Sequence, residues 1–313
     1  MAWIKTEGEV LPGIINIGDS YLSSYLIVGS EKILLVDSNM SFMSSVLRQN
    51  IQSYLPNGRQ LDGVLLTHSH FDHVGGIPYL REMFPDLVVY GSPVAAKVLQ
   101  SDNAKRLILD LNMQAAREYA KAGMHLLDIA YDESLLVVDH VVKDGDEISI
   151  GNETITIIEV PGHTRCSICY FLSDQKAIFG GESMGVLLKN GTVCPEYLSS
   201  YVDYNQSLKK CKSVGAEIVC MPHFGVLTEQ DAANYWDLAI RWAEGGAEII
   251  LSMLREGHGK AQIIQKLKEM FYLEDLRSFQ PEKAFDINAG RSIQLIMEDF
   301  AVTEGTLLRF ASQ

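Results

Sequence analysis

Short apolar runs, each closed by Gly, Pro or a polar cluster, alternate along the chain with longer stretches whose apolar residues recur at helical spacing. Tyr25-Leu26-Ile27-Val28 and Lys32-Ile33-Leu34-Leu35-Val36 flank Gly29-Ser30-Glu31 and predict a β-hairpin. Residues 42–53 read as a helix, 62–67 as a strand, and 74–84 as a helix opening straight from the loop after that strand. From Pro93 to about Ala122 the period is helical, which predicts two helices inserted ahead of a strand at 154–160. Further on, 229–256, 260–271 and 283–301 read as helices punctuated by Gly257 and Gly259. Strands interleaved with helices predict a layered α/β (α+β) fold. No internal repeat or low-complexity linker interrupts it.

The residues after the strand at 62–67 change the picture. Thr67-His68-Ser69-His70-Phe71-Asp72-His73 places three imidazoles and a carboxylate at a strand end, where they pack poorly and cost desolvation if buried unpaired. Ligation of zinc, iron or manganese removes that cost. His163 follows the strand-like Thr154-Ile155-Thr156-Ile157-Ile158, Glu182 follows Ala177-Ile178-Phe179-Gly180-Gly181, and His223 follows Val219-Cys220-Met221-Pro222. One layout recurs: an apolar strand, Gly or Pro, then a ligand-type residue. Strand ends collected on one sheet edge are where layered α/β folds assemble a ligand shell. Thr164, Ser183 and Tyr197 are candidates for hydrogen bonds to substrate, or loop residues with local partners. His125, His140 and His258 fall outside the pattern and read as surface or helix-end residues.

In this order the motifs resemble those of the metallo-β-lactamase-fold hydrolase superfamily. Val36-Asp37 resembles the first motif, whose aspartate supports the site rather than binding metal. His68, His70, Asp72 and His73 match the second, His163 the third, Glu182 the fourth and His223 the fifth. The resemblance implies an αββα sandwich of two mixed sheets with helices outside. It also implies two divalent metal ions, one held by His68, His70 and His163, the other by Asp72, His73 and His223, with residue 182 bridging. Hydrolysis by a water activated between the cations would follow, with Asp72 as the catalytic residue orienting it. The bridging residue of the family is normally aspartate. Glu182 moves its carboxylate by one C–C bond, about 1.5 Å, and Gly180-Gly181 is expected to accommodate the change, a weakened second metal or an altered metal preference being the alternatives.

The inserted helices and the helical C-terminal part are similar to the thioesterase branch acting on 2-aminobenzoylacetyl-CoA in alkylquinolone signalling. Ser101-Asp102-Asn103-Ala104, Ser278-Phe279-Gln280-Pro281-Glu282 and Arg291 carry that likeness. The glyoxalase II branch also joins this core to C-terminal helices. Both imply a small-molecule thioester, such as an acyl-CoA, as substrate. A phosphoester or lactone, and a non-catalytic partner-binding role with a degraded metal site, are the alternatives. The expected organisation is a catalytic domain over 1–228, with the insertion at about 93–122, and a helical cap over 229–313.

Charge and composition narrow the partners. A net charge of −14 argues against nucleic acid, whose binding needs a basic surface. No run reaches the roughly 18 apolar residues of a membrane span, and Met1-Ala2-Trp3-Ile4-Lys5-Thr6-Glu7 lacks an apolar leader core. The expected location is therefore the cytoplasm, without a membrane partner. Five irregularly spaced cysteines fit reduced thiols, and Cys166-Ser167-Ile168-Cys169 reads as strand-entry sequence. Lys260, Lys266, Lys268, Arg277, Lys283 and Arg291 are either solvated helix faces or positive spots for an anionic ligand. The oligomeric state is open, a homodimer being one option.

Overall fold

Ile33 and Leu35 bury on one side of their strand, and Leu34 and Val36 on the other. A strand buried on both faces needs a packed layer on each side. The computed structural model describes residues 8–18, 22–56, 58–121, 131–278 and 280–300 and supplies those layers.

The first sheet runs in chain order through β1 (Gly8–Leu11), β2 (Ile14–Asn16), β3 (Tyr25–Val28), β4 (Ile33–Val36), β5 (Gly63–Leu65), β6 (Val88–Gly91) and β7 (His140–Val141). Its pairs are antiparallel as far as β4 and parallel beyond it. The second sheet begins with β8 (Glu147–Ser149), β9 (Thr154–Glu159), β10 (Ile168–Leu172) and β11 (Ala177–Phe179). A separate hairpin, β12 (Val186–Leu187) with β13 (Val193–Cys194), intervenes before β14 (Ile218–Cys220) and β15 (Val226–Thr228) complete the sheet. Its order is β15-β14-β11-β10-β9-β8, with β11 and β14 parallel.

Parallel neighbours need crossovers, and helices provide them. Between β4 and β5 runs α1 (Ser44–Tyr54); between β5 and β6 run α2 (Phe71–Val74) and α3 (Ile77–Met83). The insertion after β6 is α4 (Pro93–Leu99) and α5 (Asp102–Lys121), and α6 (Tyr201–Val214) leads to β14. After β15 come α7 (Glu229–Arg255), α8 (Lys260–Phe271), α9 (Glu274–Arg277) and α10 (Glu282–Asp299). Leu34, Val36 and Leu65 meet Ile155, Tyr170 and Phe179 in a core between the sheets. Leu35, Val64, Ile51 and Leu80 form a second core under the helices of the first sheet. Ile178, Val219, Leu208, Trp236, Ile250 and Ile293 form a third under α6, α7 and α10. Three stacked cores make the αββα sandwich.

One expected helix is two. The segment read as 74–84 breaks at Gly75-Gly76, because the His73 carbonyl accepts from Ser38 N at 2.7 Å and Ser38 Oγ at 3.0 Å instead of continuing the helix ladder. The short α9 and the β1–β2 and β12–β13 hairpins are additions that the apolar pattern does not predict. On the C-terminal helices, Lys268 pairs with Glu282 and Asp286 at 2.7 Å, Lys266 with Glu269 at 3.8 Å, and Arg277 Nε donates to Tyr272 O at 2.8 Å. These cations are paired with groups of their own surface. Phe279 and residues 301–313 of the C-terminal part lie outside the described residues.

Candidate metal centre

Parallel pairing fixes where the polar strand ends gather. Asp37 follows β4 and His68 follows β5, while Glu182 follows β11 and His223 follows β14. Each parallel pair opens at the same edge, and the loop after β9 brings His163 to it. Two glycines allow the close approaches this requires. Gly162 adopts φ +133°, and a Cβ there would lie 2.3 Å from the Tyr204 backbone on α6. At Gly181 a Cβ would come within 2.9 Å of His68 Nδ1 and 3.0 Å of Thr67 Oγ1, so the Glu182 segment presses directly on the histidine loop.

The carboxylate of Glu182 divides four imidazoles into two groups. Its Oε1 lies 2.9 Å from His223 Nε2 and 3.1 Å from His73 Nε2; its Oε2 lies 3.4 Å from His68 Nε2 and 3.5 Å from His163 Nε2. His70 joins the second group, with Nδ1 3.1 Å from His163 Nε2. Asp72 stands beside the first, with Oδ2 3.8 Å from His73 Nε2 and a side chain 26 % exposed. All seven sequence candidates therefore meet at one place.

Hydrogen bonds behind the rings decide which nitrogen faces inward. His73 Nδ1 donates to Asp37 Oδ2 at 2.7 Å, and His163 Nδ1 donates to the Glu196 carbonyl at 2.6 Å. Thr67 donates to Asp37 through N at 2.8 Å and Oγ1 at 2.7 Å, which leaves its oxygen to accept from His68 Nδ1 at 3.0 Å. His68 and His163 thus present their Nε2 lone pairs to the centre, while His73 Nε2 faces it beside Glu182 Oε1 at 3.1 Å. Asp37 supports from behind, as the first-motif resemblance implies.

Electrostatics sorts the same rings. Burial, then His73 and His70, pushes His68 well below the usual imidazole range. Burial and His70 push His163 down to about 3, and burial lowers His70 as well. For His73 burial works downward too, but Glu182, Asp37 and Asp72 outweigh it and hold it well above the usual range. Burial alone would raise Glu182; the charge of His73 and hydrogen bonds from His223 and His73 win and hold it low. His68 Nε2 and Glu182 Oε2 are both buried without a hydrogen-bond partner. The donor atoms of His68, His70 and His163 lie within 4.8 Å of one another, as do those of His68, His73 and Glu182. The neutral nitrogens of His68, His70 and His163, beside a carboxylate oxygen of Glu182 that no hydrogen bond satisfies, fit a divalent cation.

The remaining candidates are local. Thr164 Oγ1 bonds Ser167 Oγ at 2.7 Å, Ser183 Oγ donates to Val160 O at 2.9 Å, and the Tyr197 ring packs among Tyr201 and Tyr204. His140 is exposed and packs edge-on against Tyr90, His258 lies beyond α7 beside Glu256, and His125 lies outside the described residues. Cys166 and Cys169 are free and buried, with Cys166 Sγ 3.3 Å from Ser69 Oγ.

Sequence reasoning missed two supports. Tyr25 donates to the carbonyls of Met221 at 2.7 Å and Gly225 at 3.1 Å, bracketing the turn that carries His223. Asn112, fully buried on α5, accepts from Ser41 N at 2.8 Å and donates to Phe71 O at 3.2 Å, where α2 begins. A helix as short as α2 leaves its carbonyls without partners of its own, so Asn112 and Ser38 supply them. The readable signal was an asparagine four residues after Ile108, on the apolar stripe of α5. Asn112→Ala is expected to cost about 2 kcal/mol through the groups it strands, read as a lower urea midpoint; an unchanged midpoint would remove Asn112 from this role.

The fold and site together define an αββα protein with a histidine-rich, carboxylate-divided pocket at its strand ends. The chain belongs to the metallo-beta-lactamase superfamily, whose family model matches residues 17–223. It is 27% identical over 168 residues to an atrochrysone carboxyl ACP thioesterase of Aspergillus fumigatus, covering 54% of this chain and 40% of that protein. It is 29% identical over 163 residues to the acyl-coenzyme A thioesterase MBLAC2 of Gallus gallus, covering 50% of this chain and 56% of that one. Between 40% and 56% of the length of these curated relatives is thus spanned. A metallo-beta-lactamase family protein from Thermus thermophilus shares the fold, with a TM-score of 0.62 and 16% identity over 93% of this chain and 95% of its own.

Proposed function

We propose that this chain is a metal-dependent hydrolase of ester-type bonds whose substrate is a thioester, such as an acyl-CoA. The observation that carries the reading is the division of four Nε2 atoms between the two oxygens of Glu182. In this reading His68, His70 and His163 hold one divalent ion, Asp72, His73 and His223 hold another, and Glu182 lies between them. Divalent ions there supply Lewis acidity, lowering the pKa of a water and drawing charge from a carbonyl oxygen. The chain's own contribution is orientation. Asp37, Thr67 and the Glu196 carbonyl keep three rings in the tautomer that offers Nε2. Asp72, the more solvent-open carboxylate of the site, is positioned to accept a hydrogen bond from the attacking water at its Oδ atoms. The C-terminal helices are proposed to cap the cleft. Two similar proteins named as thioesterases support the substrate class, and five free thiols support a reducing compartment. No helix among the described residues is long and apolar enough to cross a membrane.

The test is thiol release from a panel of acyl-CoAs by protein loaded with zinc, iron or manganese, beside His68→Ala. Turnover well above that variant is expected. Equal, background rates on thioesters by the metal-loaded protein would refute the substrate class, and cleavage of phosphoesters or lactones instead would reassign it.

A further inference from the structure

His163 takes its orientation from a segment that is neither helix nor strand. Residues 195–200, between β13 and α6, have no ladder of their own and wrap the turn that carries His163. Leu198 N donates to Gly162 O at 3.1 Å and to His163 O at 3.2 Å. Ser199 reaches Gly162 O through N at 2.9 Å and Oγ at 3.0 Å, and Ser200 N reaches it at 3.2 Å. In return His163 Nδ1 donates to Glu196 O at 2.6 Å. That bond sets the tautomer and the orientation of the ring. A carbonyl can do so only if its own segment is held in place.

The hold comes from α10. Ser292 Oγ donates to Tyr197 O at 3.2 Å and Arg291 Nε to Leu198 O at 3.1 Å. Of three successive carbonyls, the first therefore serves His163 and the next two serve α10. Asn288 Nδ2 donates to Glu196 Oε2 at 3.3 Å, and Asp299 Oδ2 accepts from Tyr201 N at 3.1 Å and Val202 N at 3.3 Å. Residues 288, 291, 292 and 299 lie on one face of α10, beside the buried Ala289, Ile293 and Ile296. The apolar stripe is enough to attach the helix to the domain. What the polar stripe adds is direction, because hydrogen bonds weaken steeply as their geometry departs from linear. All four polar residues spend it on the segment 196–202.

We propose that Arg291 and Ser292 are positioning residues of the metal centre: by fixing the carbonyls of Leu198 and Tyr197 they hold the Glu196 carbonyl that turns His163 Nε2 towards Glu182. The C-terminal helix α10 thereby completes the centre as well as flanking it. The proposal rests on the reading of His68, His70 and His163 as the ligands of one ion, and adds the support of one of them.

The double variant Arg291→Met, Ser292→Ala keeps most of the side-chain bulk and removes both donors. Cobalt(II) is titrated against a competing chelator on the full chain, well below its melting temperature. One of the two ions is expected to bind about tenfold more weakly, the low end of the cost of disturbing a ligand's outer partner, and the other is expected to keep its affinity. Asp275→Ala loosens the C-terminal helices elsewhere, at Lys189 N and Nζ, each 2.7 Å from the carboxylate, and should leave both ions unchanged. Unchanged affinities in the double variant, a loss shared equally by both ions, or the same loss in Asp275→Ala would overturn the proposal. If the wild-type chain binds fewer than two cobalt ions, the dinuclear reading fails and proton NMR of the metal-free chain decides the positioning. The His163 Nδ1 proton, identified by its absence in His163→Gln, should exchange with water about tenfold faster in the double variant. An unchanged rate, or a proton already in fast exchange in the wild type, would overturn it.

Discussion

Glu182→Ala is expected to lose most of the chain's bound metal and to reduce turnover on the order of 10³-fold or more, about 4 kcal/mol of barrier. The wild-type chain is expected to carry close to two metals. No neighbouring group can substitute for this carboxylate. His73 and His223 converge on Oε1, and His68 and His163 face Oε2, so one truncation removes the shared element of both groups. The four imidazoles would then be left with no negative charge between them, and a pair of dications would repel without a bridging anion. Glu182→Asp is a finer probe. It withdraws the carboxylate by about 1.5 Å, whereas metal–ligand distances tolerate a few tenths of an ångström. Gly181 already lies against His68 and Thr67, leaving the segment little room to advance in compensation. Elemental mass spectrometry on protein purified without chelator, beside the thiol-release assay, measures both variants. Two metals per chain retained in Glu182→Ala would sink the bridging role of Glu182.

How much of this was legible before the structure depends on how local each feature is. The hairpin of β3 and β4 was readable because its strands and turn are contiguous. His68, His163, Glu182 and His223 were readable because each follows an apolar strand directly, and strand ends gather wherever the strands do. The break in the helix at 74–84 was not, since it depends on Ser38, thirty-five residues from His73, taking the His73 carbonyl. Asn112 looked like one polar residue on a long helix; its role appears only when α5 lies against the start of α2. Glu196 was visible as an acid within an apolar run, but what it faces is set by α10, more than ninety residues later. The substitution at 182 was plain in the sequence. What it does was not, because dividing two oxygens among four rings is a property of the assembled edge.

The metal-free chain is expected to be most stable near pH 6.5 and to weaken on both sides, with the larger loss in acid. His68, His70 and His163 are held below the ordinary imidazole value of 6.5. As pH falls below 6.5 the unfolded chain takes up protons at these positions that the folded chain refuses, so stability drops. Each such group is worth up to 1.36 kcal/mol per pH unit, so three acting together are a sizeable loss against a typical total of about 5–15 kcal/mol. His73 has the opposite sign. Its folded value lies above 6.5, so its contribution is complete below 6.5 and fades as pH rises through that folded value. Glu196, pushed up to about 7 by burial and Glu182, has the same sign as His73 and loses stability as pH rises from about 4.5 to that value. Two groups thus oppose three, which blunts the acid limb and leaves the alkaline limb the shallower. Glu182 acts further down, its contribution present above about pH 4.5 and lost as pH falls through its lowered folded value. Urea midpoints of chelator-treated protein at pH 5.5, 6.5 and 8 measure the curve. A midpoint that holds steady from 6.5 to 5.5 would mean that the three rings are not buried as neutral imidazoles. Bound metal should steepen the acid limb, because protons and cations compete for the same nitrogen lone pairs.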